Sequence, residues 1–213
     1  MDAQNVFRIA VASGVMAGSL ACAGRRAPLD VAVLFATSWR VAGETLAADD
    51  RAVVRRAALE TLRAAYGGFD VRFDDADAAQ PPPAARIIRV EDTPYNRLLF
   101  GAAGVTYPAS RVSSVRFDVL VNEELAAAAC ASLARCAKPR AELLEGLGRG
   151  IGATAAHELG HQSGLAFARD SACEDCYDGK ASASYVHFFG RKHWSDGALA
   201  SMRAALPARH SER

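Results

Sequence analysis

The chain has 213 residues, which is enough for one domain with a substantial core and short for two. Hydrophobic residues make up 51% and charged residues 23%, a balance that is typical of globular proteins and excludes a disordered chain. With 25 basic and 24 acidic residues the formal net charge is +1, so no nucleic-acid partner is indicated.

The first residues are typical of an export signal. Arg8 precedes an uncharged stretch of small and apolar residues that has the length of a signal-peptide core and is too short to span a membrane. Cleavage after Ala23 would leave a signal peptide over residues 1–23 and a single domain over 24–213. Alternatively, Cys22 in the sequence SLAC could be lipidated. We therefore predict an exported bacterial protein that is periplasmic, lipid-anchored or secreted.

The four other cysteines form an even set, which fits disulfide bonds in an oxidising compartment. Cys130 and Cys136 are close enough in sequence for a local bridge. Cys173 and Cys176 form a CxxC pair, which could be a tight disulfide, a redox pair or half of a thiolate zinc site. We favour disulfides because the spacing of the first pair fits a four-cysteine zinc site poorly; the sequence does not determine the pairing.

The first half of the domain is predicted to contain, in chain order, a strand, a helix and two further strands. The apolar run in PLDVAVLFATSW predicts a first strand, and the segment from about Ala48 to Tyr66 has the composition of an amphipathic helix that stops at two glycines. FDVRFD alternates apolar and charged residues and predicts a second strand. ARIIRV predicts a third strand, which follows a proline-rich loop.

The second half is predicted to hold a strand and two helices. GAAGVTYPAS predicts a short extended piece. SSVRFDVLVNEEL has apolar residues at alternating positions, which predicts a strong strand; these are Val115, Phe117, Val119 and Val121. A helix is predicted from Glu123, and a long helix from about Arg140 through Gly164. This order implies an α/β (α+β) fold in which the long helix packs against the sheet.

The long helix carries the sequence ATAAHELGHQSGL, which predicts a metal site. His157 and His161 are one helical turn apart, so both imidazoles can bind the same ion. Glu158 is next to the first ligand and can reach a metal-bound water. Zinc would lower the pKa of that water towards neutrality, and Glu158 would accept the proton as general base. Gly164 is a natural helix terminator.

At these residues the chain resembles the metzincin clan of zinc metalloproteases, in particular matrixin-like and archaemetzincin-like members, whose motif is HExxHxxGxxH. His157, Glu158, His161 and Gly164 match its first four fixed positions. The resemblance implies a metzincin-like catalytic domain with a mixed, twisted sheet packed on the zinc-binding helix and a small C-terminal subdomain that ends in a helix. It also implies that an extended peptide adds as a strand near SSVRFDVLV or the preceding segment.

The third metal ligand departs from the clan, because Phe167 occupies the position where the clan has His or Asp. A catalytic zinc normally keeps three protein ligands and a water. We rank Asp170 first as the third ligand and His187 second. Four further residues lie within sequence reach: Glu174, Asp175, Asp178 and His193.

The C-terminal region offers fewer signals. The clan has a methionine turn beneath the metal. Met202 is instead predicted to lie in an amphipathic C-terminal helix and to pack in the core. Ser195 or Asp196 is expected to cap that helix. Tyr177 or Tyr185 could stabilise an oxyanion, as tyrosines do in some members of the clan.

The function predicted first is that of an exported zinc-dependent metalloendopeptidase, expected to be monomeric, that hydrolyses peptide or protein substrates. The main alternative is a non-catalytic metzincin-like envelope protein that binds peptide or protein partners. The missing third histidine favours the alternative, whereas the retained Glu158 favours the enzyme. A zinc hydrolase that acts on a small amide also fits the motif.

Overall fold

The computed structural model describes residues 26–37, 39–41, 44–76, 86–91, 102–106, 110–166, 172–179 and 184–209. The predicted signal peptide, Cys22, Phe167 and Asp170 lie outside these residues. None of the helices in the described ranges is both long enough and apolar enough to cross a lipid bilayer.

The elements follow the predicted order closely. The strands are β1 Leu29–Phe35, β2 Arg40–Val41, β3 Glu44–Thr45, β4 Val71–Ala76, β5 Arg86–Glu91, β6 Gly104–Thr106 and β7 Val112–Arg116. The helices are α1 Ala48–Ala65, α2 Phe117–Ala127, α3 Arg140–Gln162, α4 Tyr185–Phe189 and α5 Asp196–Ala205.

Five strands form one mixed sheet in the order β4-β1-β5-β7-β6. The neighbours β4 and β1, β1 and β5, and β5 and β7 run parallel, whereas β6 runs antiparallel to β7 and forms an edge. β2 and β3 form a separate short antiparallel pair. The predicted α/β fold with a mixed sheet is therefore confirmed.

α3 packs against α1 through glycines that let the two backbones approach closely. A Cβ atom at Gly148 would lie 2.5 Å from the carbonyl oxygen of Val54, and one at Gly152 would lie 2.6 Å from that of Ala58. The hydroxyl of Tyr66, just after α1, donates to the carbonyl of Ala156 at 2.9 Å. These contacts fix the height and rotation of α3, and with them the position of its last two turns.

The strand predicted through Val121 is wrong beyond Arg116, where α2 begins. Phe117, Val121 and Leu125 are buried and lie on one face of α2. A spacing of four fits both a strand face and a helix face, so the alternation did not distinguish the two. The chain instead turns at Phe117, which packs on Trp39 with ring centroids 4.7 Å apart.

The C-terminal part agrees with the expectations for it. Disulfides join Cys130 to Cys136 and Cys173 to Cys176. The side chain of Ser195 caps α5 by accepting from the N–H of Ala198 at 3.2 Å. Met202 is fully buried in the main hydrophobic core.

Candidate metal centre

The histidine motif lies at the C-terminal end of α3, where the helix is buried on most sides. His157 and Glu158 are buried, and His161 is partly exposed. The helix ends at Gln162, and Gly164 adopts a φ of +103°, a left-handed conformation that glycine takes without strain. The next residue, Leu165, donates its N–H back to the carbonyl of Gly160 at 3.0 Å, which closes the helix end.

The two histidines converge on one point. Their Nε2 atoms are 2.9 Å apart, and their rings are nearly perpendicular. This separation is comparable to the distance of about 3.3 Å between two nitrogen ligands of a tetrahedral zinc ion. The motif therefore folds with both imidazoles directed at each other.

The second nitrogen of each ring faces a backbone carbonyl. His157 Nδ1 lies 2.8 Å from the carbonyl oxygen of Tyr177, and His161 Nδ1 lies 3.4 Å from that of Leu165. When Nδ1 donates to a carbonyl, Nε2 of the neutral ring is left with a lone pair. At 2.9 Å the two Nε2 atoms share a hydrogen when one ring is the Nε2–H tautomer, and a cation between the rings would take the place of that hydrogen. The donor set fits zinc, for which imidazole nitrogen with an orienting carbonyl behind it is a typical ligand.

Glu158 points away from the helix towards the edge strand β6. Its Oε2 accepts a hydrogen bond from the Thr106 hydroxyl at 2.7 Å, and only 6% of the residue is exposed. Gly104 lies directly opposite, since a Cβ atom there would come within 2.5 Å of Glu158 Oε1. The carboxylate is thus held between α3 and the strand that the resemblance places at the cleft.

A cavity of about 350 Å³ opens at the histidine pair. Besides His157 and His161, its lining includes Asp178 and residues of α5. Both oxygens of Asp178 are bound by Ser195, from its N–H at 2.9 Å and its hydroxyl at 2.6 Å. Asp178, one of the acidic residues within sequence reach of the motif, thus lines the same cavity as the two histidines. Its bonds to Ser195 join the turn 172–179 to the start of α5.

The turn 172–179 is held against the chain before α5 by further bonds. Tyr177 N–H donates to the carbonyl of His193 at 2.7 Å, and His193 N–H donates to that of Asp175 at 3.0 Å. The disulfide between Cys173 and Cys176 closes the turn. This frame directs the carbonyl of Tyr177 at the ring of His157.

His187, the second-choice ligand, lies on a different cavity. This cavity has a volume of about 460 Å³ and also contains Tyr177, Arg149 and Lys192. His187 is buried, and its Nε2 is 3.1 Å from both the Thr154 hydroxyl and the carbonyl of Gly150. Burial, with a smaller contribution from the charge of Lys192, lowers the pKa of His187 to about 3, so its ring is neutral at physiological pH.

The two tyrosines considered for oxyanion stabilisation have packing contacts in the structure. Tyr177 is buried beside Trp194 with ring centroids 5.2 Å apart, and burial raises the pKa of its phenol. Tyr185 is 52% exposed and stacks on Phe189. Neither side chain lines the cavity of the histidine pair.

A second group of possible metal ligands surrounds the disulfide of the turn. The ligand atoms of Cys173, Asp175, Cys176 and His193 lie within 4.8 Å of one another and could hold a metal ion. The two sulfur atoms are bonded to each other in the structure, so this group would need both thiols in the reduced form.

Two groups that the structure brings to the motif were missed in the sequence. Thr106 lies 52 residues before Glu158, and the Tyr177 carbonyl lies 20 residues after His157. A backbone carbonyl has no residue signature. Thr106 had one weak signal, a hydroxyl residue in the short extended piece before the predicted strand.

Comparisons with known proteins give a likeness in structure and none in sequence. No family model matches the chain, and no curated protein does. Among solved structures the chain is similar to archaemetzincin from Methanopyrus kandleri, with a TM-score of 0.52 at 13% identity over 87% of this chain and 98% of that chain. At this identity the likeness concerns the fold: the chain has an archaemetzincin-like α/β fold.

Proposed function

We propose that the chain is an exported zinc-dependent metallopeptidase. The observation that carries the proposal is the convergence of His157 and His161, whose Nε2 atoms are 2.9 Å apart while His157 Nδ1 faces the Tyr177 carbonyl. The archaemetzincin-like fold supports it independently. Export rests on the N-terminal sequence alone.

In this proposal each residue of the motif has one role. His157 and His161 hold the zinc, and Asp170 is the proposed third ligand. When bound, zinc would polarise the substrate carbonyl and make the attacking water more acidic. Glu158 accepts the proton of that water and then delivers it to the leaving amine. An extended peptide substrate would lie along β6, because among the described residues no strand pairs with the side of β6 that faces away from β7.

The test combines metal analysis with a substitution of the general base. The purified protein should contain about one zinc per chain and should cleave casein or a fluorescence-quenched peptide library. Glu158→Gln should keep the zinc and lose the cleavage. Glu145→Gln is the matched control, because Glu145 lies on the same helix, is partly exposed and pairs with Arg56 and Arg149; it should cleave as the wild type does.

The third ligand is tested by zinc affinity. Asp170→Ala should weaken zinc binding by on the order of 10-fold or more, by analogy with substitutions that disturb metal ligation. His187→Ala should leave zinc affinity close to that of the wild type, because the His187 ring is bonded to α3 on the other cavity. The opposite pattern would exchange the two assignments.

The outcomes separate the proposed enzyme from its alternatives. A protein that is purified without chelators and holds no metal would contradict both zinc-hydrolase hypotheses. Stoichiometric zinc without cleavage of any peptide would favour the binding protein of the same fold. Cleavage of small amides but not of peptides would favour the third hypothesis.

A further inference from the structure

We propose that Thr106 is a positioning residue for Glu158, at one end of a buried chain of hydrogen bonds that continues through Ser113 to Gln162. Its effect on catalysis rests on the proposed function, whereas its effect on the placement of Glu158 does not.

The chain of hydrogen bonds joins three elements. Thr106 Oγ1 in β6 lies 2.7 Å from Glu158 Oε2 and 2.5 Å from Ser113 Oγ in β7. Ser113 Oγ lies 2.6 Å from the side-chain amide of Gln162, in the last turn of α3. All four residues are buried. The carboxylate of Glu158 is thus tied to the sheet by a path that returns to its own helix one turn later.

The number of hydrogens allows this path to be complete. Each hydroxyl has one hydrogen to donate and can also accept. When the Thr106 hydroxyl donates to Glu158, it can accept from Ser113, and Ser113 can accept from the amide N–H of Gln162. Every hydroxyl on the path then both donates and accepts, which is the favourable arrangement for polar groups shielded from water.

The opposite orientation of the Gln162 amide fits better, because in the first its oxygen faces only acceptors and its nitrogen only donors. Its nitrogen then donates to the carbonyl of Arg111 at 3.1 Å, and its oxygen accepts from the Ser113 hydroxyl at 2.6 Å and from the Ser113 N–H at 3.3 Å. In this orientation the Ser113 hydroxyl donates to Gln162, and the Thr106 hydroxyl has one hydrogen to share between Ser113 and Glu158. In either orientation of the amide, the Thr106 hydroxyl is the group of the sheet that bonds to the Glu158 carboxylate.

The backbone geometry around Thr106 makes this placement specific. The Thr106 hydroxyl is also 3.0 Å from the carbonyl of Glu158, and β6 approaches α3 closely at Gly104. The peptide substrate is proposed to lie along β6. Any shift of β6 would therefore move the Thr106 hydroxyl that holds Glu158. Position 106 therefore links the place where the peptide would lie to the group that would act on it.

The experiment compares Thr106→Val, which removes only the hydroxyl, with Thr106→Ser, which keeps it. Thr106→Val should lower kcat for peptide cleavage by on the order of 10- to 100-fold with little change in KM, while Thr106→Ser stays within about threefold of the wild type, because a displaced catalytic group costs about that much. Zinc content should be equal in all of them. Thr61→Val, which removes a hydroxyl bonded within α1, is the control for loss of a threonine hydroxyl.

A second measurement needs no turnover and no metal. Urea midpoints are measured for the metal-free wild type, Thr106→Val, Glu158→Ala and the double variant. Coupling between the two side chains should make the midpoint shifts non-additive, because the second substitution removes a partner that the first has already lost. Additive shifts, or Thr106→Val with the kcat of the wild type, would overturn the inference. A wild type that cleaves no peptide would contradict the proposed function and leave the midpoints to decide the role of Thr106.

Discussion

The ring of His157, a proposed zinc ligand, is oriented by a backbone carbonyl, so the residues that hold that carbonyl control the direction of the ring from a distance. Tyr177 supplies the carbonyl at 2.8 Å, and Asp178 anchors the same turn to Ser195 through both of its oxygens. A group behind a metal-binding imidazole fixes its tautomer and its direction, and losses at such positions weaken metal binding. In the proposed zinc site Asp178 would therefore act on the metal through His157, although its own oxygens are bonded to Ser195.

We expect Asp178→Ala to weaken zinc binding by about 10-fold, the range typical of losses behind a metal ligand. The physical reason is that the turn loses its anchor to the start of α5 and no longer holds the Tyr177 carbonyl at a fixed angle. Competition with a chromophoric chelator measures the affinity. Glu174→Ala is the control, because Glu174 lies on the same turn and is exposed. Equal affinities for both variants and the wild type would contradict this role.

How well the site could be predicted depends on the distance in sequence over which it is assembled. His157, Glu158 and His161 share one helix, so their spacing alone predicts their common direction. Thr106 and the Tyr177 carbonyl reach the site only because the sheet edge and the turn fold back onto α3. Such contacts depend on the packing of whole elements, which a single sequence does not encode in any short pattern.

At the scale of elements, glycines on two sides of α3 allow neighbouring helices to pack closely against it. One row of glycines, Gly148 and Gly152, faces α1, and a second row, Gly146 and Gly150, faces aromatic side chains of α4. The strands and helices with strong periodicity, such as α1 and β4, were predicted within a residue or two. The boundary between β7 and α2 was not, because Phe117, Val121 and Leu125 satisfy both periods.

We expect Gly152→Ala to lower the free energy of unfolding by about 1–3 kcal/mol, as overpacking of a tight contact does. The added Cβ would lie 2.6 Å from the Ala58 carbonyl oxygen and from the Thr61 Cβ, so α1 and α3 must move apart. This outweighs the better helix propensity of alanine, which is worth up to about 1 kcal/mol. Urea unfolding followed by circular dichroism measures the change.

Gly197→Ala is the matched control for that substitution. Gly197 is also helical, in the first turn of α5, and the nearest atom to an added Cβ is Ser195 Oγ at 3.9 Å. Its free energy of unfolding should equal or slightly exceed that of the wild type. If both variants lose the same stability, the contact between α1 and α3 is not the cause.

At the scale of the whole molecule, stability should depend on pH through a buried acid outside the proposed metal site. Glu124 in α2 is 0% exposed and lies against α3, where a Cβ atom at Gly146 would come within 2.5 Å of its Oε1. Burial raises the pKa of Glu124 from 4.5 to about 8, and the backbone of Leu147 and the charge of Arg149 offset only part of that. The packing of α2, α3 and α4 therefore contains a carboxyl group that is protonated at neutral pH.

The direction of the pH dependence follows from the two states. Below pH 4.5 both the folded and the unfolded chain keep the proton of Glu124, so this residue adds no slope. Between pH 4.5 and about 8 the unfolded chain releases the proton and the folded chain holds it, so stability falls as the pH rises. One proton gives a slope of at most about 1.4 kcal/mol per pH unit.

Glu124→Gln should remove this slope, because glutamine fills nearly the same volume and has no proton to release. The measurement is urea unfolding at pH 5 and pH 8 for the wild type and the variant. The wild type should lose more stability than Glu124→Gln between these two values. Glu142→Gln is the control, since Glu142 is partly exposed and pairs with Lys138, and it should keep the slope of the wild type. If the slopes of Glu124→Gln and the wild type are equal, Glu124 is ionised in the folded chain and its surroundings must admit water or a counter-charge.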